Sequence, residues 1–396
     1  MRLLLVTQDF PPDVGGIQTY SWELSRRLAA RAEALHVVAP ARPGAASVDA
    51  SVPFPVQRVR GRPDLLPLTA LAAVPRLARR AQPHVAFHAQ WQTVGASVLA
   101  RMLTGWPRRI VCAAHGRELL FNPLPDTLGA RAAYDRVRRG LLQQVDAFLP
   151  VSRYTGGLLS DLGVPAARRH VVPNGTDPER FRPVDGASLR RRLGLADHPL
   201  LLTVGRLVQR KGIDTMLRAL PSVAEAAPQV QYLVAGTGPD RDRLTHIARA
   251  HDMTDRVRFL GQVPHDELPQ YYSAADVFVM PSREAPPDVE GFGLVFLEAN
   301  ACGTPVIGAR SGGIPDAVVD GETGLLVPPS SPEALAQAAT SLLTDADRRA
   351  ALGEHGRHRA ATTLNWDRIG ERIYHHLVAP SETAGAEARS GGAGQS

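Results

Sequence analysis

Short apolar runs alternate with segments of helical period along almost the whole chain. Leu3 to Val6, Leu35 to Ala39, Val85 to His88, Ile110 to Ala113 and Ala147 to Val151 are continuous apolar runs, the signature of strands buried on both faces. Between several of them apolar residues return at helical spacing, as at Ile17, Tyr20, Leu24 and Leu28, or Leu128, Ala132, Val137 and Leu141. Strands separated by amphipathic helices predict a parallel sheet covered on both sides. The pattern stops at VVPNGTDPERFRPVDG, residues 171–186, whose prolines and glycines mark a linker. It then resumes, with strands predicted at Leu200 to Val204, Gln231 to Ala235, Val257 to Leu260, Val277 to Met280, Pro305 to Ile307 and Leu325 to Val327. Helices are predicted over 212–227, 240–251, 266–274, 292–302 and 332–344. The fold class is therefore α/β, with two tandem doubly wound domains, 1–172 and 173–365, facing a cleft. A last helix over 366–379 comes after the second domain has used its strands and can cross back to the first, and 380–396 reads as a disordered tail.

Composition changes this picture mainly by exclusion. With 396 residues, 44% of them hydrophobic and 21% charged, the chain has material for two cores and does not read as collagen-like, coiled-coil or disordered. Cys112 and Cys302 lack metal-ligand neighbours at useful spacing, so neither a structural disulfide nor a zinc site is expected. No run approaches a membrane span, and MRLLLVTQDFPP has too short an apolar core, and too early an acid, for a secretory leader. The expected location is the cytoplasm.

Charge is divided unevenly. Residues 1–172 hold 22 Lys+Arg against 11 Asp+Glu, while 173–396 hold 23 against 28. In the first half arginines cluster on predicted helices, at Arg26, Arg27 and Arg31, at Arg76, Arg79 and Arg80, and at Arg136, Arg138 and Arg139. Such clusters suit an anionic membrane surface or a phosphorylated acceptor; a merely solvated basic face reads equally well. Nucleic acid is not an expected partner, because no aromatics interleave with these arginines. Of the 45 basic residues one alone, Lys211, is lysine, which marks a place where a compact, flexible ammonium is wanted and a planar guanidinium does not serve.

The candidate chemistry gathers at the predicted strand ends. In TQDFPPDVGGIQTY, Gly15 and Gly16 precede a helix start, where bare backbone N–H groups favour an anion; a tight turn would explain the pair as well. In LLLTVGRLVQRKGIDT, Arg206 at a strand end and Lys211 at a helix start can neutralise a diphosphate without a metal. The segment is not a Walker A loop, since neither its spacing nor the residue after Lys211 fits. In DVEGFGLVFLEANACGTP, Glu290 lies in a loop and Glu298 about two turns into the next helix, with Gly291, Phe292 and Gly293 between. The glycine-rich helix start can donate to phosphate or sugar oxygens, and the carboxylates can accept from sugar hydroxyls. Asp240-x-Asp242 and Asp345-x-Asp347 open predicted helices and read as dipole-favoured acids. No metal site is expected. Gly236-x-Gly238 lacks the third glycine of a dinucleotide fingerprint.

Taken together, DFPPDVGGIQTY, AAHGRE, VSRYTGGLL, VVPNGTDPERF, GRLVQRKG, VAGTGPDRDRL and the Glu290-x7-Glu298 segment resemble the retaining glycosyltransferases of family four, whose two Rossmann-like domains form the GT-B architecture. The opening and DVEGFGLVFLEANACGTPVIG look most like bacterial mannosyltransferases that use GDP-mannose on phosphatidylinositol mannosides. The resemblance implies a nucleotide-sugar donor held by Arg206 and Lys211 at its diphosphate, with amides near Gly16 and after Glu290 assisting. It implies Glu290 on the donor sugar, Glu298 on the ribose, His115 near the reacting carbon, and Arg258 and Phe259 seating the base through backbone groups. It further implies retention by front-face attack, no cofactor or metal, and a lipid-linked acceptor on the basic first domain, met at the inner face of the membrane. UDP-glucose or UDP-N-acetylglucosamine with a small-molecule or polysaccharide acceptor is the main rival, and a sugar-nucleotide epimerase a further one. The paired glutamates with Lys211 speak against a simple sugar-binding module, and the broken glycine fingerprint against an NAD-dependent oxidoreductase.

Overall fold

The computed structural model describes residues 1–124 and 129–378. Leu128, the last residue of the predicted crossover helix and the tail over 380–396 lie outside the described residues. Two parallel six-stranded sheets organise the chain. The first contains β1 (Arg2–Val6), β2 (Ala34–Pro40), β3 (Val56–Val59), β4 (Val85–His88), β5 (Arg109–Ala114) and β6 (Ala147–Pro150), in the order β3-β2-β1-β4-β5-β6. The second contains β7 (Leu200–Val204), β8 (Gln231–Ala235), β9 (Val257–Gly261), β10 (Val277–Met280), β11 (Val306–Ala309) and β12 (Gly324–Val327), in the order β12-β11-β10-β7-β8-β9. Both have one doubly wound order read from opposite edges, and each reverses direction beside its first strand, at β1/β4 and at β7/β10. Crevices at such switch points, beyond the carboxyl ends of the strands, are where these folds bind ligands.

Alternation within a strand explains why the apolar runs are continuous. Leu3 and Leu5 face one core with Tyr20, Leu24 and Leu28 of helix Gly16–Ala29. Leu4 and Val6 face the other side, against Leu66, Ala70, Val74 and Ala78 of helix Leu66–Ala81. Among the elements not anticipated, two are instructive. β3 reads VQRV and pairs only with β2, so as an edge strand it has no need of apolar residues on both faces. Helix Ala346–Thr362 buries only Leu352, Gly353, Gly356 and Ala360, too sparse a stripe to register as periodic. Asp345 caps this helix by accepting from Arg348 N at 2.9 Å, a local explanation for that Asp-x-Asp pair.

The chain crosses between the domains twice, and the crossings are tied to each other. Thr176 N donates to Leu364 O (2.8 Å) and Trp366 N to Thr176 O (3.0 Å). Helix Trp366–Val378 then returns to the first domain, burying Trp366, Ile369, Ile373 and Leu377 in the core shared with helix Gly16–Ala29. Trp366 meets Tyr20 edge to face at 6.0 Å, and Arg27 Nε donates to Asp367 Oδ1 at 3.2 Å.

This tie requires Gly175, because a Cβ there would lie 2.8 Å from Trp366 N and 2.9 Å from the Asn365 carbonyl carbon. Gly175→Ala is expected to destabilise the protein by about 1–3 kcal/mol through overpacking. Gly157→Ala, on an exposed helix position with nothing within 4 Å, is expected to stabilise by about 0.5–1 kcal/mol. Thermal denaturation of the two variants against the parent checks both signs.

Candidate active site

The carboxyl ends of β1 and β5 and those of β7, β9 and β10 face each other across a cavity of about 640 Å³. Its first-domain wall contains Gly15, Gly16, His115 and Glu118; its second-domain wall contains Arg206, Arg210, Lys211, the loop from Glu290 to Gly293, and Glu298. The walls touch. Arg117 Nε reaches Asp288 Oδ1 at 2.6 Å and Arg153 Nε reaches Asp316 Oδ1 at 2.9 Å. Backbone meets backbone at Gly291, where a Cβ would lie 1.7 Å from the His115 carbonyl oxygen.

The lone lysine lies at the centre of the second wall. A turn over Gln209–Lys211 ends at Gly212, whose φ of 70° and approach to the Pro281 carbonyl both demand glycine. Helix Ile213–Ala226 starts there. Lys211 is 9% exposed; its Nζ donates to Glu290 Oε2 at 2.5 Å, and Arg210 Nη1 donates to the same oxygen at 2.7 Å. Burial alone would raise the Glu290 carboxyl, but Lys211 and Arg210 hold it down at about 2. Burial lowers the Lys211 ammonium despite that partner. A brace supports the turn from behind, since Arg283 N donates to the Arg210 carbonyl at 2.8 Å. The Arg283 guanidinium grips Asp214, in the first turn of the helix, through two bonds of 3.0 Å.

Glu298 is the fifth residue of helix Leu294–Ala301, little more than one turn in, nearer its start than the two turns anticipated. It is buried, accepts from Tyr272 Oη at 2.8 Å, and is raised to about 7 by burial, the Tyr272 bond opposing. His115 follows β5 and meets Tyr20 edge to face at 4.8 Å. Burial lowers its imidazole to about 4, against a hydrogen bond with the Ala89 backbone, so the ring is neutral at physiological pH. Gly15 is extended, with φ 164°, and Gly16 opens helix Gly16–Ala29. No left-handed turn demands this glycine pair, and its effect is to leave the helix start bare toward the cavity.

Ten of the anticipated residues thus line one cavity: Gly15, Gly16, His115, Arg206, Lys211, Glu290, Gly291, Phe292, Gly293 and Glu298. Arg258 and Phe259 do not. They are strand residues, and strand side chains point to the sheet faces, not off its end. Arg258 bonds to the Leu193 carbonyl at 2.6 Å, and Phe259 lies under Arg241 at 3.9 Å. The cavity is met instead by the loop beyond β9, at Gln262, Val263 and His265. Arg210 was missed because nothing in a sequence so rich in arginine separates it from the rest, except that it adjoins Lys211. Glu118 was missed although AAHGRE contains it. Gly236 and Gly238 are needed for packing, since Cβ atoms there would lie 1.9 Å from Gly205 O and 2.3 Å from Leu207 O.

Residues 14–180 match the family described as Glycosyltransferase Family 4, and residues 187–359 match Glycosyl transferases group 1. The chain is 38% identical over 379 residues to the GDP-mannose-dependent alpha-(1-6)-phosphatidylinositol monomannoside mannosyltransferase of Mycolicibacterium smegmatis, covering 94% of this chain and 97% of that one. The chain belongs to glycosyltransferase family 4. Its relatives in the family include the GDP-mannose-dependent monoacylated alpha-(1-6)-phosphatidylinositol monomannoside mannosyltransferase of Corynebacterium glutamicum, 32% identical over 94% of this chain and 96% of that one. The two-domain GT-B fold is shared with HepE of Anabaena, solved in complex with UDP, at a TM-score of 0.80 and 22% identity, covering 95% of this chain and 99% of that one. Arg206, Arg210 and Lys211 lie together beside the glycine loops, at the switch-point crevice of the second sheet.

Two consequences can be measured. Glu290→Gln leaves the buried Lys211 and the half-buried Arg210 without their anion, so the unliganded variant should lose about 3 kcal/mol. Inorganic diphosphate, which supplies the missing charge, should restore more of the melting temperature in the variant than in the parent. Glu298 gives a pH effect: between the ordinary 4.5 and about 7 the folded state holds more protons than the unfolded one, so stability falls as pH rises through this window. Melting temperatures of Glu298→Gln measured from about pH 5 to about pH 7 should decline less steeply than the parent's.

Proposed function

We propose that this protein transfers an α-mannosyl group from GDP-mannose, with retention and without a metal, to a lipid-linked acceptor of the phosphatidylinositol mannoside kind. The observation that carries this reading is the 32–38% identity, over 94% of the chain, to mannosyltransferases of that named activity, combined with a cleft that Arg206 lines and in which Lys211 and Arg210 pair with Glu290. As the bond from the anomeric carbon to the diphosphate breaks, charge develops on the leaving oxygens, and fixed cations in a closed cleft stabilise it there. Glu290, already bridged to two cations, is better suited to orient donor hydroxyls than to attack carbon. The acceptor oxygen then bonds to the same face of the anomeric carbon that the diphosphate leaves, and its proton passes to a leaving phosphate oxygen. Glu298 receives the ribose hydroxyls.

No helix of the described residues is long and apolar enough to cross a membrane. Helix Leu66–Ala81 exposes Leu68 and Leu71 together with Arg76, Arg79 and Arg80, and helix Val94–Thr104 exposes Met102 and Leu103. Apolar and arginine side chains exposed on one domain favour peripheral contact with an anionic bilayer from the cytoplasmic side.

Thermal-shift titration tests the donor. A ligand at a hundred times its Kd stabilises the folded state by about 2.7 kcal/mol, a shift of several degrees. GDP and GDP-mannose are expected to shift the midpoint more than UDP and UDP-glucose, equally in magnesium and in EDTA. A UDP-selective shift would overturn the donor while leaving the family intact. Transfer of labelled mannose to phosphatidylinositol mannoside in anionic vesicles, with the anomeric configuration read by NMR, tests acceptor and stereochemistry together.

A further inference from the structure

The first-domain wall holds a carboxyl group that the diphosphate site does not use. Glu118 is the second residue of the short helix Arg117–Leu120 after β5, is 7% exposed, and lines the cavity. Its two oxygens have different surroundings. Oε1 accepts from His115 N at 2.6 Å and Gly116 N at 3.2 Å, tying down the loop that carries His115. Oε2 is buried and has no hydrogen-bond partner among the described residues. The same holds for His115 Nε2.

A buried carboxylate oxygen without a donor bears its desolvation penalty uncompensated. The protein's own cations do not relieve it. Arg117 is turned to Asp288, and Lys211 and Arg210 are held by Glu290 on the opposite wall. Burial, with Asp9 adding to it, raises the carboxyl against three backbone amides that favour the anion, which is the environment of an acceptor oxygen awaiting a neutral donor. Among the described residues no group of three or more His, Cys, Asp or Glu side chains is placed to hold a metal ion. Hydroxyl groups are the neutral donors that a sugar or polyol brings into a cleft, and carboxylates accept from them with charge-assisted strength.

We propose that Glu118 is an acceptor-binding residue, whose free oxygen Oε2 accepts a hydrogen bond from a hydroxyl of a sugar or polyol seated on the first-domain wall. This rests on the proposed function only in that the acceptor carries such hydroxyls. Glu118 orients the acceptor and takes no proton from it. The two amide bonds on Oε1 couple this role to His115, so one side chain sets both the loop and the ligand.

Glu118→Gln separates the two roles. Gln keeps an oxygen for the His115 and Gly116 amides and replaces the free oxygen with an NH2 group of the same size. With GDP bound, titrations of methyl α-mannoside and of myo-inositol, followed by NMR, report hydroxyl-ligand binding without requiring turnover. The parent should bind at least one of them, and Glu118→Gln should weaken that binding about tenfold or more while the affinity for GDP and the melting temperature change little. In the transfer assay the acceptor KM should rise and the donor KM should not. Glu118→Ala, which also releases the loop, should weaken both ligands. Unchanged hydroxyl-ligand affinity in Glu118→Gln, or no binding of either probe by the parent, would overturn the assignment and leave Glu118 a loop tie. GDP selectivity and product stereochemistry report separately on the donor reading.

Discussion

A lysine and a glutamate buried against each other organise the second half of this molecule. Neither charge is tolerable alone in that setting, and their contact brings the loop after β7 to the loop after β10. The surroundings serve that contact. Gly212 lets the turn press against the Pro281 carbonyl, Arg283 holds the turn from below, and Gly313 N donates to the Glu290 carbonyl at 2.8 Å. Glu290 gathers Lys211 and Arg210 on one oxygen, so the mutual repulsion of these cations is offset within the fold. Charge placement in the cleft and domain stability are therefore one arrangement, and a change at Glu290 acts on both.

Much of this was legible in the chain. Strands buried on both faces leave apolar runs that need no alignment to see, and eleven of the twelve strands coincide with such runs. β3 and helix Ala346–Thr362 escaped because each lies at a margin of the fold, where one buried face is enough. Within the site, Lys211 stood out by composition alone, and the spacing of Glu290 and Glu298 by its glycine loop. Arg210 did not, since an arginine among arginines carries no signal until its partner is located. Arg258 and Phe259 do not line the cavity, because strand residues spend their side chains on packing while the loop beyond the strand meets the sheet's carboxyl edge.

The two halves are coupled at the back of the cleft as well as across it. Tyr20 lies between His115 and Trp366, touching both edge to face, so the helix that returns from the second domain packs against the residue that supports the cleft histidine. The paired crossings at Thr176 and Leu364–Trp366 make this return a two-stranded connection in place of a single tether. Gly291 and His115 meet by backbone contact, and the ion pairs Arg117–Asp288 and Arg153–Asp316 also span the gap.

The use of arginine in every other basic position has a practical consequence. On most proteins acylating and reductive-alkylating reagents scatter over a surface of primary amines, and their yield reports little. Here the only side-chain amine is 9% exposed, has a lowered pKa, and sits against a carboxylate in the cleft. Apart from the chain terminus, such chemistry has a single address, so the extent of labelling reads directly on how open that cleft is.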